Sequence, residues 1–175
     1  QAARAMPGVV AVLTAADIPG ENDVGAVRHD EPLLAEDELC FHGQPVALVV
    51  GESVEQCRRA AASVLVDVEP AVPLVGLRAA IAADSFHTEP HVIARGDVDA
   101  ALLACPHRLV GELESGAQEH FYLETQAAYA EPGEAGDVLV SSSTQHPSEV
   151  QSVVAHVLGL LRHQVVVTSP RIGGG

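Results

Sequence analysis

The chain has 175 residues, with 9 basic against 24 acidic side chains, a formal net charge of -15 and 47% hydrophobic residues. That length suffices for one medium domain or two small ones with a real core, while a surface of this sign repels phosphate backbones and disfavours general nucleic-acid binding. No apolar run approaches the roughly 18 residues that a membrane span needs, and the opening QAARAMPGVV lacks the basic start, apolar stretch and small-residue cleavage site of a secretory signal, so a cytoplasmic protein is expected.

In chain order, MPGVVAVLTAADIPG predicts a short strand over residues 9–13, with Thr14 as the cap of one helical turn before Pro19. Residues 20–39, rich in Asp, Glu, Asn, Gly and Pro, read as an irregular loop. A clearer unit follows. PVALVV at 45–50 is a continuous apolar strand, and Ser53 with Gln56 forms an S-x-x-Q box opening a helix whose apolar face carries Val54, Cys57, Ala61 and Val64. Val64, Val66 and Val68 alternate with other residues, so the helix is expected to run into a strand that Pro70 closes.

Between Pro70 and Pro106 the pattern loosens to a helical turn over residues 77–83, a linker and a short helix from Asp97, its cap, to Leu103. Arg95-Gly96-Asp97 matches an integrin-type tripeptide and reads as a chance loop before that helix. Further strands are expected at 108–113, 122–130 and 138–142, with residues 132–136 as a hairpin turn. The strongest helix signal follows: Val150, Val153, Val154, Val157, Leu158 and Leu161 share one face, Pro147 suits the first turn, and Ser148 with Gln151 offers a second S-x-x-Q box. A last strand at 164–168 leads into RIGGG, where Gly173, Gly174 and Gly175 look like the start of a binding loop. The whole reads as a mixed α/β protein.

Several chemistries find no support. Cys40, Cys57 and Cys105 are odd in number with no close pair, against a zinc ribbon, a redox pair or an iron–sulfur cluster in this segment, and they read as buried thiols. His120 and Glu124 have the spacing of helical metal ligands, but Phe121-Tyr122-Leu123 and the strand-like run after them argue for a non-helical segment. There is no G-x-S-x-G elbow, and no Lys to complete a phosphate-binding loop. What remains is SSSTQHPSE at 141–149, at the C-terminal end of a strand facing a helix N-terminus. That position suits contact with an oxygen-rich or anionic ligand, and equally suits residues that only finish the strand and cap the helix.

Three stretches together resemble the molybdopterin-binding subunit of the xanthine dehydrogenase family: GAQEHFYLETQ at 116–126, STQHPSEVQ at 143–151 and RIGGG at 171–175. Upstream, GENDVG, HDEPLLA and GQPVALVVGES are similar to the α/β hammerhead domain of that family. The resemblance implies a hammerhead domain over 1–83, a linker over 84–106 and the start of the cofactor domain over 107–175, with the chain a piece cut at both ends. It implies that Gln145 hydrogen-bonds the apical oxo ligand of a molybdenum–molybdopterin cofactor, a contact that orients the metal and tunes it, and that Gly173, Gly174 and Gly175 approach the pterin. The substrate-binding arginine and the glutamate base of the family lie downstream of residue 175. The implied parent activity is hydroxylation of a purine such as xanthine with water-derived oxygen; aldehyde oxidation, or a non-catalytic interaction module keeping the fold, are the alternatives. Implied partners are the remainder of the cofactor domain, iron–sulfur clusters and FAD on other domains or subunits, and a second copy. No cofactor is expected to stay on this piece alone, which should be inactive.

Overall fold

A β-branched run becomes a strand only where a neighbour accepts its backbone hydrogen bonds, and this condition sorts the apolar segments of the chain. In the computed structural model, which describes residues 2–172, five runs meet it. They are β1 (Val9–Leu13), β2 (Leu48–Gly51), β3 (Ala128–Pro132), β4 (Val138–Ser142) and β5 (Val165–Thr168). The segments 64–68, 108–113 and 122–127, read as strands above, have no partner strand among the described residues and stay irregular.

The chain divides into two compact units, residues 1–65 with 119–175, and residues 66–118. In the first, β1 and β2 pair antiparallel, with an irregularity between Val9 and Ala11. The helix α1 (Val54–Ala61) follows β2 and is capped by Ser53, whose Oγ accepts the Gln56 amide at 3.3 Å and donates to Gln56 Oε1 at 2.9 Å. Ala60, fully buried, meets Val12 and Ala3, with Met6, Val49 and Val64 packed around them. The buried stripe is therefore rotated from the one expected: Val54 is 67% exposed, and Ala61 is exposed too, because the small Ala60 lets the helix approach the sheet closely.

The second sheet has the order β3-β4-β5. β3 and β4 form the expected hairpin, with Ala135 (φ 57°) and Gly136 (φ 87°) in left-handed conformation at its turn. β4 and β5 are parallel, and the helix α4 (Pro147–Leu158) crosses between them, so this half of the sheet is a βαβ unit. Val140, Ala155 and Val165 make the core, joined by Val150 and Val154. The helix ends at Gly159 in the left-handed region (φ 66°), two residues short of Leu161, which is 63% exposed. The second S-x-x-Q box does not form. His146 takes the cap position and Pro147 the first turn, which puts Ser148 inside the helix, and Gln151 reaches the other way to the carbonyls of Arg162 (3.0 Å) and Val165 (2.8 Å).

The loop 20–39 is irregular but extensively hydrogen-bonded. Asn22 pairs with the Leu34 backbone like a strand residue, its Nδ2 donating to Leu34 O at 2.8 Å and its Oδ1 accepting Leu34 N–H at 3.0 Å. Leu34 is buried. Asp23 Oδ1 accepts the Gly25 amide at 2.8 Å, and its Oδ2 bonds His29 Nδ1 at 2.8 Å. The Gly25 amide, with help from His29, holds the Asp23 carboxyl below its usual range. The Thr14 backbone and side chain do the same to Asp17 at the cap of the turn after β1.

In residues 66–118, α2 (Leu77–Ala82) and α3 (Val98–Ala104) are joined by irregular chain, and no residue is buried. Asp97 caps α3 as expected, accepting the Ala100 amide at 2.9 Å. Arg78 reaches Glu112 and Glu114 at 3.2 Å each, but these side chains are about four-fifths exposed, so the pairs contribute little. The thiols are not buried as expected. Cys40 and Cys105 are exposed and Cys57 half-buried, because each lies outside the two apolar clusters.

Candidate functional site

Parallel β4 and β5 end side by side, and the crevice beyond the carboxyl ends of parallel strands is where open α/β sheets bind ligands. Here hydroxyl side chains stitch the two strand ends together. Ser141 Oγ and Thr168 Oγ1 lie 3.1 Å apart, and Ser169 Oγ donates to Thr144 O at 3.0 Å, fixing the chain that leaves β5 to the chain that leaves β4. Ser143 anchors the other side: its N–H donates to Ala127 O at 3.0 Å while its Oγ accepts the Ala127 amide at 3.0 Å. The segment 116–126 thus enters β3 directly beside the loop. Sequence reading left Ser143, Thr144 and Ser169 without individual roles; the signal was the hydroxyl run itself, which at a strand end serves backbone bonding.

Gln145 sits between these anchors and the helix. Thr144 Oγ1 accepts the His146 amide at 3.0 Å, and the His146 carbonyl accepts the amides of Glu149 and Val150 at 3.0 and 3.1 Å, so the residues on either side of Gln145 are tied down. The Gln145 side chain is exposed and has no hydrogen-bond partner among the described residues. It does not cap α4. Of the expected site residues, the structure places Gln145 at the β4–α4 junction. Gly173, Gly174 and Gly175 lie outside the described residues; the chain leading to them departs from the same strand edge at Ser169. His120 and Glu124 lie in an irregular segment, as read.

The donor chemistry decides what this edge can hold. An unengaged primary amide offers two N–H donors and one acceptor, suited to an oxygen of a ligand. Among the described residues, no three His, Cys, Asp or Glu side chains converge as metal ligands. The residues present therefore fit a hydrogen-bonding role towards an oxygen atom of a ligand. The carboxylate of Glu149, exposed in the first turn of α4, favours the positive end of the helix dipole and adds one negative charge near the edge.

Comparison with known proteins agrees with this architecture. Residues 85–175 match the molybdopterin cofactor-binding domain, and residues 1–71 match the a/b hammerhead domain of aldehyde oxidase and xanthine dehydrogenase. The chain is 40% identical over 169 residues to xanthine dehydrogenase from Dictyostelium discoideum, covering 97% of this chain and 12% of that protein. It is 37% identical over 174 residues to xanthine dehydrogenase/oxidase from Gallus gallus, covering 99% of this chain and 13% of the relative. Among solved structures, aldehyde oxidoreductase from Desulfovibrio gigas superposes with a TM-score of 0.80 at 25% identity, over 95% of this chain and 20% of that one. Quinoline 2-oxidoreductase from Pseudomonas putida 86 gives 0.77 at 25% identity, over 99% and 24%.

The chain combines an aldehyde oxidase and xanthine dehydrogenase hammerhead domain with a molybdopterin cofactor-binding domain. The chain belongs to the xanthine dehydrogenase and aldehyde oxidase family of molybdenum hydroxylases. It spans about an eighth of the length of these curated relatives.

Proposed function

We propose that this chain is the hammerhead and first cofactor-binding segment of a molybdenum hydroxylase that oxidises a purine of the xanthine class. The observation that carries the site is Gln145: a side-chain amide with no partner among the described residues, held at the carboxyl edge of parallel strands by neighbours that are all bonded. The bound cofactor supplies the two-electron oxidation of an electron-poor carbon. Gln145 would donate an N–H to an oxygen atom of the bound cofactor and so help to orient it. Ser143, Thr144 and Ser169 hold the Gln145 backbone, and Gly173, Gly174 and Gly175 let main chain approach the pterin without side-chain obstruction. Residues 1–83 act as the hammerhead domain, 84–106 as linker and 107–175 as the opening of the cofactor domain. Iron–sulfur clusters and FAD belong to other domains or subunits.

The purine reading is supported by identity near 40% to curated proteins named xanthine dehydrogenase. The test is a substrate panel on the full-length enzyme. Xanthine turned over well above aliphatic and aromatic aldehydes is expected; preference for aldehydes would move the assignment to the aldehyde branch.

A further inference from the structure

The end of α4 remote from Gln145 is capped by a segment distant in sequence. The last turn of a helix leaves carbonyls without intrahelical partners. Here Gly159 N–H and Leu160 N–H serve some of them locally, in the manner of a left-handed cap. The loop after β1 adds two donors: Gly20 N–H donates to Val157 O at 3.0 Å, and Glu21 N–H donates at 2.9 Å to His156 O, which Gly159 N–H also reaches. Gly20 is required by space rather than by its own backbone angles. A Cβ there would fall inside the His156 carbonyl oxygen and 2.6 Å from Gly159 N. Asn22, two residues on, pins the same loop to Leu34 through two hydrogen bonds. A helix of 12 residues is a rigid rod about 18 Å long, so an axial shift at its C-terminus reaches the β4–α4 junction.

We infer that Gly20, held by Asn22, is a positioning residue for the cofactor edge: it sets the axial seat of α4 and thereby the place of Gln145. The inference rests on the proposed role of Gln145, and the hammerhead segment becomes a working part of the site.

The test is a double-substitution cycle in the full-length holoenzyme with Gly20→Ala, Asn22→Ala and Gln145→Ala. Molybdenum content, melting temperature, kcat and KM, and the molybdenum EPR spectrum of the partly reduced enzyme are read for each. Asn22→Ala loosens the loop without overpacking it, so it keeps the test alive if Gly20→Ala does not fold. Expected is a fall in kcat on the order of ten-fold or more for the loop variants, the scale for a small misplacement at a reacting centre. KM and molybdenum content should stay near those of the unsubstituted enzyme, the EPR spectrum should shift, and adding Gln145→Ala should bring little further loss. If Gln145→Ala slows turnover while the loop variants lower only melting temperature, or combine with it multiplicatively, the positioning role is overturned and that of Gln145 stands. Normal turnover and an unshifted spectrum for Gln145→Ala at full molybdenum content would overturn both.

Discussion

The amide of Gly20 donates to the carbonyl of Val157 at 3.0 Å, joining the loop after the first strand to the last turn of the helix that begins beside Gln145. Through this bond and that of Glu21, the hammerhead segment and the cofactor segment share one compact unit. The helix that begins beside Gln145 is therefore capped at its far end by residues more than a hundred positions upstream.

Replacing Gln145 separates ligand contact from helix capping. Because its side chain bonds nothing among the described residues, Gln145→Ala is expected to leave melting temperature and molybdenum content of the full-length enzyme unchanged. Turnover should fall on the order of 100-fold, the usual scale for a lost donor at a reacting centre. Gln145→Glu should be as slow or slower, since an ionised carboxylate donates nothing and repels an oxygen ligand. A normal rate at full molybdenum occupancy would dispose of the contact.

Gln151 ties α4 to the start of β5, its Nε2 shared between Arg162 O and Val165 O. Gln151→Ala should lower stability by about 1–3 kcal/mol, because a partly buried carbonyl loses its partner. Gln151→Glu should cost more above the carboxylate pKa, where it presents only acceptors to two carbonyls, and should recover in acid. Urea denaturation of the three proteins at neutral and acidic pH checks both the magnitude and the sign.

Acid should loosen the loop after β1. The Gly25 amide and His29 depress the Asp23 carboxyl from its ordinary value of 3.8 in the folded chain. The unfolded chain thus takes up a proton at higher pH than the folded one, and the contribution is present above that value and fades as pH falls through the lower folded one. Asp23→Asn should flatten this part of the acid transition. Thermal denaturation between pH 6 and pH 2.5 reads it; an identical pH dependence in the variant would show that the carboxylate is not coupled to folding.

The isolated chain should associate and hold no molybdenum. Many of its large apolar side chains are exposed. They include Val72, Ile93, Leu109 and Leu113. Sedimentation should find oligomers at micromolar concentration, and metal analysis should find molybdenum far below one per chain with no hydroxylase activity. A strict monomer, or stoichiometric metal, would contradict this.

Much of the local structure was legible in the sequence. Val9–Leu13, the Ser53 cap, the Asp97 cap, the hairpin around Gly136 and the helix opening at Pro147 follow from periodicity and turn chemistry, which act over a few residues. So did the position of Gln145 at the end of a strand facing a helix, and the family motifs around it. What the sequence by itself could not determine depended on a distant partner. The apolar runs at 64–68 and 108–113 have strand composition but no neighbouring strand among the described residues, so their backbone stays irregular. The stripe of α1 turned on which side of Ala60 met Val12, and Gln151 bonded forward to Val165 rather than capping its own helix. Only the tertiary structure brought Gly20 against the end of α4, because the need for glycine there comes from the approach of His156, a residue 136 positions away.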